Sequence, residues 1–242
     1  MAEMSREEVL TRYRHLRAIS TRHHTEAMNF FSRPALLEQA RHLGLAVGET
    51  LAAESFDELT LAFDLAIHTA RPDHTRAVDR YARAAQLQPG SDEALVLEAM
   101  RQARFSLWRV ERRHEVVGLV VRDLLRQDEV WLVDEALERS APEGMVAAMR
   151  LCTPDAFAMT CGVIVPVDRG LIEEVLAEVL PRVRGSPDRV ANDRRFATAV
   201  YRTAVARGLM AWGRLREGTA PDRLTIGPWS SSRPKMAKVE LR

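Results

Sequence analysis

The strongest constraint on this chain is a change of hydrophobic period. Up to about residue 104 the apolar residues recur every three or four positions. From Phe105 to Val167 they come in short β-rich runs separated by turn signals, and after Asp168 the helical spacing returns. Such a chain has to bury helical stripes against each other and against a sheet. The expected class is therefore α+β: a helical N-terminal region (1–104), a small five-stranded antiparallel barrel (105–168), two C-terminal helices packing on the rest (169–216), and an extended or disordered basic tail (217–242).

Local signals place the elements. Ser5 and Glu8 have capping-box spacing ahead of a stripe of Val9, Tyr13, Leu16 and Ile19, which predicts a first helix running to about residue 31. Pro34 starts a second helix that stops at Gly44, and further helices are expected over 57–70, 75–87 and from a Ser91 cap onward. Predicted strands cover 105–111, 116–125, 130–137, 145–152 and 157–167, joined as a meander, with Gly118 a point of bulge or close approach. Residues 145–152 carry enough Ala and Met to allow a helix instead. A stripe over 171–179 and a long last helix over 189–215, capped at residues 186–188, complete the pattern.

Composition excludes several classes. The longest uninterrupted apolar run, Met145 to Met149, is five residues, so no membrane helix is expected. The first ten residues alternate acid and base without an apolar stretch, which argues against a secretory signal and for the cytoplasm. In that setting Cys152 and Cys161, within an apolar region, read as reduced core cysteines, and their apolar flanks argue against a reactive thiol. There is no glycine-rich phosphate loop and no hydrolase elbow, so nothing in the sequence specifies an enzyme. No cofactor is expected.

The histidines carry little pattern. His15, His23 and His24, with Glu26, form the best residual metal or acid–base cluster, but adjacent histidines on a helix point about 100° apart. A metal-dependent or thiol enzyme is accordingly the third reading of function.

Charge is more informative. The net +1 of the whole chain conceals +2 over residues 1–34, −10 over 35–181 and +9 over 182–242. The leading expectation is a non-enzymatic binding or regulatory protein that docks a protein partner or a second copy of itself. Arg194, Arg195, Arg202 and Arg207 on the last helix, and Lys235 and Lys238 on the tail, would make the contacts. Sequence-tolerant nucleic-acid binding by the same residues is the alternative. Against it, the barrel has seven basic and eleven acidic residues over 105–168.

The strands "GLVVRDLL" (118–125), "EVWLVDE" (129–135) and "GVIVPV" (162–167) carry a resemblance. The chain resembles a family of uncharacterised proteobacterial proteins over most of residues 1–216. More distantly, its barrel is similar to a module of bacterial helical proteins that carry the SEC-C zinc motif. The resemblance implies an accessory bacterial protein and the helix-plus-barrel architecture, without an activity. The cysteine-rich zinc motif of the distant relatives is missing, since both cysteines precede residue 162. Zinc binding therefore does not carry over from them.

Overall fold

The first helix, α1 (Arg6–Ala27), is held open at its start by a reciprocal cap: the Ser5 side chain accepts from the Glu8 amide, and the Glu8 carboxylate accepts from the Ser5 amide. Its buried stripe includes Val9, Tyr13, Leu16, Ile19 and His23. In the computed structural model, which describes residues 4–69, 75–181 and 187–209, a 3-10 turn (Met28–Phe30) leads to α2 (Arg33–His42). A short hairpin follows, β1 (Ala46–Val47) and β2 (Thr50–Leu51), turning at Gly48 with φ of 59°. The helical reading of this region did not anticipate it. Then come α3 (Phe56–His68), α4 (Ala77–Ala84) and α5 (Asp92–Arg101), with Ser55 capping α3 and Ser91 capping α5.

Five strands form the second layer: β3 (Arg104–Arg113), β4 (Leu119–Asp123), β5 (Glu129–Leu132), β6 (Val146–Cys152) and β7 (Met159–Pro166). Their order is β5-β4-β3-β6-β7, with every neighbouring pair antiparallel. Since β6 returns to lie beside β3, the connectivity is a Greek key rather than the expected meander. The two edges meet at one corner. Leu132 and Ala158 form a parallel bridge, in which the Ala158 amide donates to the Trp131 carbonyl at 2.8 Å and the Val133 amide to the Ala158 carbonyl at 2.9 Å. The result is a five-stranded, partly open barrel of OB-like architecture. Gly118 makes the corner possible: at φ of 82°, a Cβ there would sit 2.2 Å from the Leu132 carbonyl oxygen.

Three expectations need correction. The third strand ends at Leu132, because the Asp134 carboxylate accepts from the amides of Ala136 and Leu137 and starts helix α6 (Glu135–Ser140). Arg112 and Arg113, past the expected end of the first strand at residue 111, continue β3 beyond a register shift between Val110 and Arg112. The expected long last helix is broken at Asp193, which caps α9 (Arg194–Ala206) after a short α8 (Pro187–Asn192); α7 (Arg169–Val179) precedes both. Residues 145–152 are mostly strand, β6, rather than the helix their Ala and Met content also allows.

Alternation along the strands sends side chains into two cores. Trp108, Val110, Leu119, Val121, Leu132, Met149, Leu151 and Ala158 fill the barrel, with Leu137 of α6 closing one end. The opposite parity, including Phe105, Leu107, Ala148, Cys152 and Cys161, joins one continuous core with α1, α3, α5, α7 and α9. Phe105 meets Phe196 and Tyr201 of α9 edge-on, with ring centroids 5.8 and 5.3 Å apart. Among the described residues no helix is long and apolar enough to cross a membrane.

The same burial makes a prediction about the three tyrosines of the chain. Desolvation, more than nearby carboxylates, raises the phenols of Tyr13, Tyr81 and Tyr201, and Tyr201 by far the most. An alkaline absorbance titration of the native protein should therefore show no tyrosine ionising at the ordinary value near 10. The chain in denaturant should titrate there, and a native tyrosine doing so would contradict the packing.

Candidate metal centre

Where α3 crosses the outer face of the barrel, polar side chains replace the apolar stripe. Asp64 and His68 are one turn apart on α3 and face the same way, and Arg150 and Cys152 share a face of β6. Cys161 comes from β7, His24 from α1 and Tyr201 from α9. Five elements thus contribute to one buried polar cluster.

Half of the cluster is paired. The Arg150 guanidinium donates to Asp64, from Nε to Oδ1 at 3.3 Å and from Nη2 to Oδ2 at 3.0 Å, and the Tyr201 hydroxyl donates to Oδ2 at 2.9 Å. The guanidinium also lies 5.5 Å from the centre of the Phe105 ring. Burial alone would lower the Arg150 pKa, but the Asp64 charge and hydrogen bond outweigh it and hold the group protonated. Gly162 is required beside this pair: at φ of 128°, a Cβ would fall 2.4 Å from Asp64 Oδ1.

The other half is not satisfied. His68 is 6% exposed, and neither of its ring nitrogens has a hydrogen-bond partner. Its ring lies edge-on to that of His24, with centroids 6.0 Å apart. His24 Nδ1 donates to the Ser20 carbonyl at 2.9 Å, which leaves Nε2 with its lone pair directed at Cys161 Sγ, 3.8 Å away. One ligand atom from each of His24, His68 and Cys161 lies within 4.8 Å of the others. Tetrahedral zinc with ordinary Zn–N and Zn–S bonds places N and S about 3.5 Å apart, so the His24–Cys161 edge already has nearly that length. A carbonyl holding the far ring nitrogen is also the usual support of a metal-bound imidazole.

The electrostatics separate the three groups. Burial, then the charges of Arg150, His24 and Arg76, push His68 well below the ordinary histidine value, so it is neutral with a lone pair free at neutral pH. Hydrogen bonding with Cys152, followed by burial, pushes the Cys161 thiol well up. His24 goes the other way: burial lowers it, and the Cys161 hydrogen bond and charge, with the Ser20 carbonyl, raise it further. Two imidazoles and a thiol with this donor set suit a borderline or soft ion such as Zn²⁺.

A family of unknown function, DUF7986, matches residues 7–210. The chain belongs to this family. The matched span includes every residue of the centre just described. No curated protein and no solved structure matches this DUF7986 member.

The residues singled out from sequence fall elsewhere. Of the first-helix cluster only His24 reaches the centre. His15 Nε2 pairs with Asp92 at 2.9 Å, while His23 is held by the Tyr81 hydroxyl at 2.8 Å and the Glu93 carbonyl at 2.9 Å, so the three do not converge. On α9, Arg195 pairs with Asp193 at 2.7 Å, Arg202 with Glu178, and Arg207 with Asp168 at 3.2 Å and Glu174 at 2.8 Å. Arg194 is exposed, and Lys235 and Lys238 lie outside the described residues. The basic C-terminal segment thus spends much of its described charge on the acids of α7 and its own cap.

Proposed function

We propose that this protein is a non-enzymatic metal-binding protein of the cytoplasm, in which Zn²⁺ held by His24, His68 and Cys161 ties the helical layer to the barrel. One observation carries the reading: an almost fully buried imidazole without a hydrogen bond, next to a thiol and to a second imidazole whose Nε2 lies 3.8 Å from that thiol's sulfur. Left unpaired, such a group costs about 1–3 kcal/mol, and a ligated ion removes that cost. The ion would act as a clamp between α1, α3 and β7 and so make the fold responsive to metal supply. Partner docking and nucleic-acid binding by α9 have less support, because Arg195, Arg202 and Arg207 are already paired. The β3–β5 face is likewise occupied, with Glu111 between Arg109 and Arg122, and Arg122 also on Glu129.

The test uses protein stripped by a chelator and titrated with Zn²⁺. Saturating metal should raise Tm by roughly 5–10 °C, from a binding contribution of about 2–3 kcal/mol at a hundredfold excess over Kd. His68→Leu should be at least as stable as the metal-free wild type and should lose the Zn²⁺ response. A purely structural histidine predicts the reverse, a destabilised variant and a wild type indifferent to zinc.

A further inference from the structure

A centre of two imidazoles and one thiolate would leave a coordination position open and a charge unbalanced. A divalent ion with only the Cys161 thiolate places one net positive charge in the core. The neighbouring Arg150 is already neutralised by Asp64, both carboxylate oxygens of which are engaged. Uncompensated charge in such a place is strongly disfavoured. The balancing group has to come from what lines the site.

Cys152 is the candidate by strand register, although its Sγ does not lie within 4.8 Å of all three other ligand atoms and has to be drawn in on binding. It is 1% exposed and belongs to the same core as Cys161. Cys152 pairs in register with Met159, and Leu151 with Thr160, so Cys152 and Cys161 lie on one face of adjacent strands as diagonal neighbours. Both are free, buried thiols. Of the other polar groups near the site, Asp64 and Tyr201 are committed to the ion pair and Ser20 Oγ donates to Met100 Sδ.

We infer that Cys152 supplies the fourth ligand, completing a closed centre of His24, His68, Cys152 and Cys161 that takes Zn²⁺ and has no open position for water or substrate. Both thiols lose their protons to solvent on binding, and the two thiolates cancel the charge of the ion. Closure makes the centre structural or regulatory rather than hydrolytic. This inference rests on the metal-binding reading above and sharpens it.

Co²⁺ added to the metal-free full-length chain tests it. The wild type should show tetrahedral visible bands and near-ultraviolet sulfur-to-cobalt absorption per bound ion about twice that of Cys152→Ser or Cys161→Ser, each of which keeps one thiolate. Cys152→Ser and Cys152→Ala should weaken Co²⁺ binding by roughly 100-fold or more, beyond the effect of losing an outer support of a ligand. Should either variant fail to fold, the absolute absorption of the wild type decides, because one thiolate and two differ in intensity. A wild-type band of single-thiolate strength, or unchanged affinity and intensity in Cys152→Ala, would overturn the fourth ligand while leaving the metal site standing. A wild type that binds neither Co²⁺ nor Zn²⁺ overturns both.

Discussion

Asp64→Ala should destabilise the protein by about 3–5 kcal/mol, measured as a fall in the urea midpoint of the metal-free chain. The size follows from what is left behind. The side chains of Asp64 and Arg150 are 2% and 9% exposed, so removal of the carboxylate strands a guanidinium with neither water nor a counter-charge. It also frees the Tyr201 hydroxyl, fully buried on α9, from its acceptor. The loss is therefore mostly the cost of an orphaned charge and only partly the worth of the pair. Two further variants separate these contributions. Asp64→Leu combined with Arg150→Met removes both charges at similar volume and should recover most of the stability. Tyr201→Phe deletes one hydrogen bond to a charged acceptor and should cost about 1.5–3 kcal/mol. A single Asp64→Ala variant within 1 kcal/mol of the wild type would mean that water reaches Arg150, contrary to its burial.

Elements with local causes were readable in the sequence. The cap of α1 needs only Ser5 and Glu8, and the stripe that follows needs only its spacing. Where the reading failed, the competing signal was often present and outweighed. Residues 130–137 look like one β-rich run, yet Asp134 followed by Glu135, Ala136 and Leu137 is an N-cap ahead of good helix formers, and the chain obeys the cap. Asp193 breaks the last helix in the same way, its carboxylate accepting from the Arg195 amide. The Greek key was not readable. Pairing of β3 with β6 joins segments separated by two strands and a helix, and nothing local distinguishes it from a meander.

The centre was legible only in fragments. His24 stood out, but beside His15 and His23, its neighbours in sequence; its neighbours in space come from residues 68, 152 and 161. Cys152 and Cys161 were correctly read as free and buried. What the sequence did hold was a set of polar residues at core positions: Asp64 and His68 on the apolar face of α3, and Arg150 amid the apolar residues of β6. A charged residue where the alternation demands an apolar one is a request for a partner, and the partner can be named only when the fold is known.

Trp108→Ala should cost about 3–5 kcal/mol, the range for deleting a large buried aromatic side chain. Trp108 is fully buried in the barrel and its Nε1 donates to the Met149 carbonyl at 3.1 Å, so the ring spans from β3 to β6 inside the partly open barrel. The expected damage is local in a way that the loss of Asp64 is not. Among the described residues the barrel core and the larger core are separate clusters, with Leu107 and Trp108 facing opposite sides of the sheet. Amide exchange should therefore accelerate first in β4 and β5, which pack on the emptied interior, and later in α1 and α3. Trp108→Phe keeps most of the apolar area and loses the hydrogen bond, so it should cost about 1 kcal/mol and retain the zinc response. Equal acceleration of exchange in α1, α3, β4 and β5 would show a single cooperative unit and contradict two separately packed interiors. With the expected order, the barrel is the part that can loosen while the helices hold, and the proposed metal site at Cys161 of β7 would sit on the boundary between them.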